Sequence, residues 1–194
     1  VGWYRANNVT KNVDGDVIRM DNKKGGLGAI EAPLEPVNYI SDGYNSKPLV
    51  QCDSANDKFL SLDNLLTAVP WSAVIATDYA ENKILSYGSV KISCSSGTAT
   101  VKILDNEFYF DADFTVFGVF ILVMKSGNLN VWYNDTHKLV DKNVSADFNR
   151  VYFGGAPWSD APVVNFAEFR FFRNDLSNSE VSNEHNSVTS FWGA

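Results

Sequence analysis

The chain has 194 residues, 45% of them hydrophobic and 13% aromatic, with 16 basic and 23 acidic side chains and a net charge of −7. That apolar content can build a core, which excludes intrinsic disorder, and the length suits a single domain over residues 1–194. The acidic balance lacks the clustered Lys and Arg that duplex nucleic acid requires, so no nucleic-acid partner is expected.

In chain order, Asp14-Gly15 and Asp42-Gly43 are turn signals. Gly25-Gly26-Leu27-Gly28 follows two lysines but lacks the Lys-Ser/Thr ending and the helix of a phosphate-binding loop, so it reads as an ordinary loop. The start at Val1, with no signal peptide in view, fits a processed product or an excised piece. Cys52 and Cys94 read as inward residues of separate strands, either two reduced core thiols or one disulfide. Trp71 to Thr77 is apolar on both faces, which predicts a central strand covered on both sides. After Ser96-Gly97, the alternation in Ala99-Thr100-Val101-Lys102-Ile103 predicts a strand with one wet face. Phe114 to Met124 predicts a second central strand, and its longest apolar run is about half of a membrane span, so no membrane insertion is expected.

Beyond the Ser126-Gly127 turn, Leu129, Val131 and Tyr133 point one way, and Asn128, Asn130 and Trp132 the other. Asn134 and Asp135 form the next turn. In Arg150-Val151-Tyr152-Phe153, Val151 and Phe153 face inward, leaving Arg150 and Tyr152 outside. Gly154-Gly155 opens a loop that carries Trp158 and Asp160. In Phe166 to Phe172, the alternation puts Ala167, Phe169 and Phe171 on one face and Glu168 and Arg170 on the other. Ser177-Asn178-Ser179-Glu180 fits a capping box, which predicts a helical turn or two from Val181 to His185. With a period of two nearly throughout and 20 asparagines supplying turns, the chain predicts an all-β sandwich.

Few chemistries are open to such a sequence. Zinc needs clustered His or Cys, whereas His137 and His185 stand far apart and read as surface residues. No cofactor is expected, although structural calcium stays open through the pairs Asp14/Asp16, Asp53/Asp57 and Asp111/Asp113. A retaining glycosidase needs two carboxylates ~5 Å apart. The best strand acid, Glu168, has Arg170 rather than a second acid on its face, and reads as half of a surface ion pair. No nucleophile elbow is present, so no enzymatic activity is expected. Three sequons, at Asn8, Asn134 and Asn143, matter only on a eukaryotic secretory route.

Recognition is the class that remains. Sugar sites stack an aromatic ring on a pyranose and surround it with hydrogen-bonding side chains. Asn130, Trp132, Arg150 and Tyr152 would make one such patch if their two strands were neighbours. Trp158 with Asp160 is a second candidate, and Asn134 could add a polar contact.

The order of several pieces adds to this reading. Trp3-Tyr4-Arg5-Ala6 comes first, then Lys47-Pro48-Leu49-Val50-Gln51-Cys52-Asp53 and Asp57-Lys58-Phe59-Leu60. Val131-Trp132-Tyr133-Asn134-Asp135, Val151-Tyr152-Phe153-Gly154-Gly155, Phe166 to Phe172 and Leu176-Ser177-Asn178-Ser179-Glu180-Val181 complete the series. It resembles the concanavalin A-like lectin/glucanase superfamily in its laminin-G-like form, over nearly the whole chain. The resemblance implies a two-sheet antiparallel jelly-roll sandwich with one short helix near the C-terminus, and binding more often than catalysis. The Glu-x-Asp-x-x-Glu strand of the glucanases is missing. The opening is similar to modules of bacteriophage and bacterial surface proteins.

The expectation is therefore a non-enzymatic domain of a phage fibre, tail or decoration protein. It would be extracellular or at the virion surface, with a cell-surface glycan as its partner. The alternative is a structural virion domain that contacts only copies of itself or other virion proteins, with a polysaccharide hydrolase or lyase ranked last.

Overall fold

The computed structural model describes residues 2–24, 28–53, 56, 58–63, 70–80, 82–87, 90–95, 97–103, 106–113, 115–143, 150–154 and 163–194, with backbone alone at 63, 79, 80, 82–87, 90, 94, 95, 103, 140–143 and 150. Its first strands are β1 (Gly2–Arg5), β2 (Val9–Lys11), β3 (Val17–Met20), β4 (Ile30–Glu31), β5 (Asn38–Ile40), β6 (Leu49–Asp53) and β7 (Leu60–Asp63). Then come β8 (Trp71–Ala80), β9 (Asn82–Tyr87), β10 (Val90–Ser95), β11 (Thr98–Ile103) and β12 (Asn106–Asp111). The last are β13 (Gly118–Lys125), β14 (Asn128–Tyr133), β15 (Thr136–Asn143), β16 (Arg150–Phe153) and β17 (Val163–Phe172), followed by helix α1 (Asn178–Trp192).

The strands form two antiparallel sheets, the expected all-β jelly-roll sandwich. One has the order β15-β14-β13-β8-β17-β6-β5, with β1 also on β17; the other runs β12-β11-β10-β9-β16-β7-β4-β3-β2. The chain changes sheet repeatedly, so strands distant in sequence become neighbours: β8 lies between β13 and β17. Alternation fills the space between the sheets. Ala73, Ile75, Phe120, Leu122, Leu129 and Val131 from the first sheet belong to one buried cluster with Leu62, Ile92, Val101, Val151 and Phe153 from the second. Gly154 is held at φ 75°, and a Cβ there would overlap the side chain of Cys52, so only glycine lets this turn close on β6. Cys52 is a free, buried thiol whose pKa burial pushes up, while the side chain of Cys94 lies outside the described residues.

The outer face of the first sheet is also apolar. Val74, Ala76, Val119, Ile121 and Val123 form a second buried cluster with Val181, Val188 and Trp192 of α1. The two strands predicted to be central are central for this reason: one face meets the other sheet and the opposite face meets the helix. No helix among the described residues is long and apolar enough to cross a membrane.

The helix is longer than the sequence implied. Ser177 Oγ accepts the Glu180 N–H at 3.4 Å, and the Glu180 carboxylate accepts the Ser177 N–H at 2.8 Å, which is the predicted capping box. Fifteen residues then continue to Trp192, because Val181, Val188 and Trp192 recur on one face that packs on the sheet. Their neighbours, mostly Ser, Asn and Thr, are poor helix formers, so propensity alone hid the extension. Gly193, at φ 76°, ends the helix, and Asn45 Nδ2 donates to the carbonyls of Trp192 and Gly193, each at 2.9 Å.

Candidate functional site

The sheets meet at one edge, where β12 and β15 are the outermost strands. A cleft of about 470 Å³ opens there, lined by Gly97, Asp111, Ala112 and Asp113 from one side and by Tyr133, Asn134, Thr136 and Lys138 from the other. Its size falls within the roughly 300–1,000 Å³ of small-molecule sites.

A two-residue turn shapes one wall. Tyr133 pairs with Thr136, and both Asn134 (φ 46°) and Asp135 (φ 60°) take left-handed conformations. That geometry suits a tight hairpin between twisted strands, and asparagine and aspartate tolerate it best after glycine. Each turn residue also has a tether. Asn134 Oδ1 accepts the Val119 N–H at 2.9 Å, which leaves its Nδ2 group as a donor, while Asp135 Oδ1 accepts the Ser182 hydroxyl of α1 at 2.9 Å. Tyr133 packs so closely on Gly118 that a Cβ there would lie 2.6 Å from its hydroxyl, which donates to the Asp113 carbonyl. A glycine at 118 thus leaves room for the Tyr133 ring, which lines the cleft.

The opposite wall carries charge. Asp113 Oδ1 accepts both the hydroxyl (2.7 Å) and the backbone N–H (2.9 Å) of Thr115. These bonds hold its carboxyl below the usual aspartate range, the hydroxyl contributing most. Two positions before Asp111, on the same face of β12, Tyr109 is 62% exposed. Its hydroxyl donates to Glu107, which also pairs with Lys102 at 3.4 Å. A wide-open ring beside a polar cleft can stack a sugar while the cleft binds its hydroxyls. Sequence reasoning missed Tyr109, although the alternation in Glu107-Phe108-Tyr109-Phe110-Asp111 carries the signal: Phe108 and Phe110 pack on the core, which turns the tyrosine outward.

The four-residue patch does not assemble. Strand β14 belongs to the eight-stranded sheet and β16 to the nine-stranded one, so Asn130 and Trp132 lie in a different layer from Arg150 and Tyr152. Trp132 points away from the sandwich interior as expected, but that face is covered. The indole is only 8% exposed, packs in the cluster with α1, and stacks on His137 of β15 at 4.1 Å with nearly parallel planes. The His137 ring also hydrogen-bonds the buried Asn130 side chain at 3.1 Å. Tyr152 is half-buried, its ring edge-on to Phe59. The Arg150 side chain, Trp158 and Asp160 lie outside the described residues. Among the described residues expected at a site, Asn134 alone lines the cleft, where it joins the Asp111/Asp113 pair.

The other acidic pairs serve turns. Asn12 Oδ1 accepts the N–H groups of Asp14 (3.0 Å) and Asp16 (2.9 Å), and Asp53 accepts the Asn56 amide at 2.6 Å. Asp57 lies outside the described residues. Among the described residues, no three His, Cys, Asp or Glu side chains gather where they could hold a metal.

Glu168 is not a surface residue. A β-bulge between Phe166 and Glu168 shifts the alternation of β17, so Ala167 joins the helix-side cluster while Phe166, Phe169 and Phe171 face the interior. Glu168 is 1% exposed, under α1. It accepts from Arg170 Nε at 2.6 Å, Arg5 Nε at 2.8 Å, Trp192 Nε1 at 3.0 Å and also from Trp3 Nε1. Four donors compensate its desolvation and leave it walled off from any polysaccharide.

No protein-family model matches the chain, and no curated protein matches it. Solved structures do. The chain is similar to the binding domain of botulinum neurotoxin serotype G, with TM-score 0.68 and 14% identity over 99% of this chain and 53% of that one. It is also similar to domain 4 of AbnA, an extracellular arabinanase from Geobacillus stearothermophilus, in complex with arabinotriose, with TM-score 0.65 and 14% identity over 94% and 96% of the two chains. Trypanosoma rangeli sialidase in complex with sialic acid gives TM-score 0.74 and 10% identity, over 97% of this chain and 33% of that one. The chain spans about half the length of the toxin binding domains it matches. At such identities the likeness establishes the architecture, which hosts many functions.

Proposed function

We propose that this chain is a carbohydrate-recognition domain that holds its ligand without turning it over. The observation that carries the reading is the cleft of about 470 Å³ between β12 and the β14–β15 hairpin, with exposed Tyr109 beside it. A pyranose stacked on Tyr109 would offer its hydroxyls to Asp111, Asp113, the Asn134 amide and Thr136. Two of the similar structures contain arabinotriose and sialic acid, which supports a saccharide as the ligand class. The Asp113 carboxylate is engaged by the Thr115 hydroxyl and N–H, and its pKa is held down, which suits it to accept hydrogen bonds from a bound sugar rather than to donate a proton to a leaving group.

The setting we propose is the outside of a cell or particle, with a phage fibre, tail or decoration protein as the parent. The support for it is the similarity of the Trp3-Tyr4-Arg5-Ala6 opening to such modules. A single such cleft should bind weakly, and repeated copies on a particle would raise avidity through effective concentration.

A glycan array probed with the native chain, Tyr109→Ala and Asp113→Asn tests this. Capture of a defined glycan that weakens roughly tenfold in Tyr109→Ala, with unchanged thermal stability, is expected. Because Asp113 is held ionised, capture should persist into mildly acid pH and decline only below the ordinary aspartate range. An array without signal, or a signal indifferent to both substitutions, would overturn the reading, as would release of a shortened saccharide.

A further inference from the structure

A second cavity, of about 160 Å³, lies where β1, β17 and α1 meet, lined by Trp3, Lys24, Arg170, Phe172, Glu184 and Ser187. It shares no residue with the sugar cleft. Arg170 forms part of its wall and is 5% exposed. Nε of that guanidinium donates to Glu168 at 2.6 Å, and Nη1 donates to Glu184 at 2.6 Å and to Ser187 Oγ at 3.1 Å. Nη2 is buried and, among the described residues, has no acceptor. A buried guanidinium normally has its N–H groups paired, so an unmatched pair of donors on a residue that lines a cavity points to a missing acceptor.

Charge identifies that acceptor. Three cations crowd one indole: Arg5, Arg170 and Lys24 lie 4.5, 4.8 and 4.9 Å from the Trp3 ring centre. Among the described residues, two carboxylates, Glu168 and Glu184, face them through direct bonds. One positive charge is left over among these described groups, in a chain whose net charge is −7. A single carboxylate balances it, whereas a doubly charged phosphate would overshoot. The volume equals about five waters, room for a carboxylate and a few attached atoms.

We propose that this cavity is an anion site for the carboxylate of a small organic or sugar acid, received by Arg170 Nη2 and Lys24 beside the Trp3 ring. The proposal does not depend on the glycan reading of the β12/β15 cleft, and each can fail alone.

The test follows the Trp3 indole and Arg170 Nε–H resonances at constant ionic strength while acetate, D-glucuronate, D-glucose or inorganic phosphate is added. Saturable shifts with acetate or glucuronate, and none with glucose, are expected. Glucuronate binding tighter than acetate assigns the site to acidic sugars; equal binding assigns it to free carboxylates. Lys24 is exposed, so Lys24→Gln keeps the fold and should weaken binding about two- to fivefold. Arg170→Lys, which keeps a charge but removes Nη2, should abolish binding if it folds. Absence of saturable shifts with either carboxylate, a preference for phosphate, or affinity unchanged in Lys24→Gln would overturn the proposal.

Discussion

At the junction of β1, β17 and α1, two tryptophans and two arginines close over one carboxylate, Glu168; at the β12/β15 edge, a tyrosine, two aspartates and an asparagine stand in water. The residue classes are nearly the same. Coverage separates them: α1 lies across the outer face of the eight-stranded sheet, whereas Tyr109 is largely exposed. Under the helix, aromatic and charged groups are bound to one another and hold the helix to the sheet. At the open edge, similar groups keep unused bonding capacity, which is what a ligand requires. An aromatic residue next to an acid is therefore a site only where the fold leaves it uncovered.

The largest expected effect tests the covered side. Glu168→Gln removes the charge that buried Arg170 and partly buried Arg5 share and should cost about 3–5 kcal/mol of stability, read as a lower urea midpoint. An unchanged midpoint would break the contrast, because the cluster would then hold nothing together.

A smaller loss is expected where the covering helix begins. Ser177→Ala removes the cap and should cost about 1 kcal/mol. The carboxyl of Glu180 sits below its usual range, chiefly through the Ser177 hydroxyl and then the Ser177 N–H. A depressed carboxyl contributes stability at neutral pH, and this is lost as pH falls through its folded value. Acid unfolding of Ser177→Ala should therefore show a weaker dependence on pH in that range than the native chain, and an identical profile would remove the capping box from the account.

On the open side the expected stability change is smallest. Tyr109→Ala should alter the urea midpoint by no more than about 0.5 kcal/mol. A large destabilisation would show that Tyr109 is a packing residue and would erase the difference between the two regions.

Much of the fold was legible along the chain. Alternation marked the segments around Ala99, Leu129 and Val151 as strands, and unbroken apolar runs marked β8 and β13 as doubly covered. The capping box placed the helix start at Ser177. The site was less legible. The sequence marks Asn134 as a polar contact, and it does line the cleft, but alternation also places Trp132 and Asn130 on an open surface, whereas both are buried, and it does not single out exposed Tyr109. Alternation states only that a side chain leaves the main core, and it cannot state whether a helix some fifty residues later will cover the face it reaches. The bulge in β17 is equally silent, since inserting one extra residue changes no composition while it reverses the faces beyond it.

Local pattern by itself determined the strands, their inward faces, the hairpin turns and the start of the helix, because each depends on backbone sterics and burial within a few residues. Only tertiary structure decided which strands share a sheet, which outward faces stay wet, and that Glu168 is buried while Asp113 is not. Those outcomes depend on contacts between residues far apart in sequence, such as Trp3 with Glu168 and Phe110 with Lys138, which no local pattern encodes.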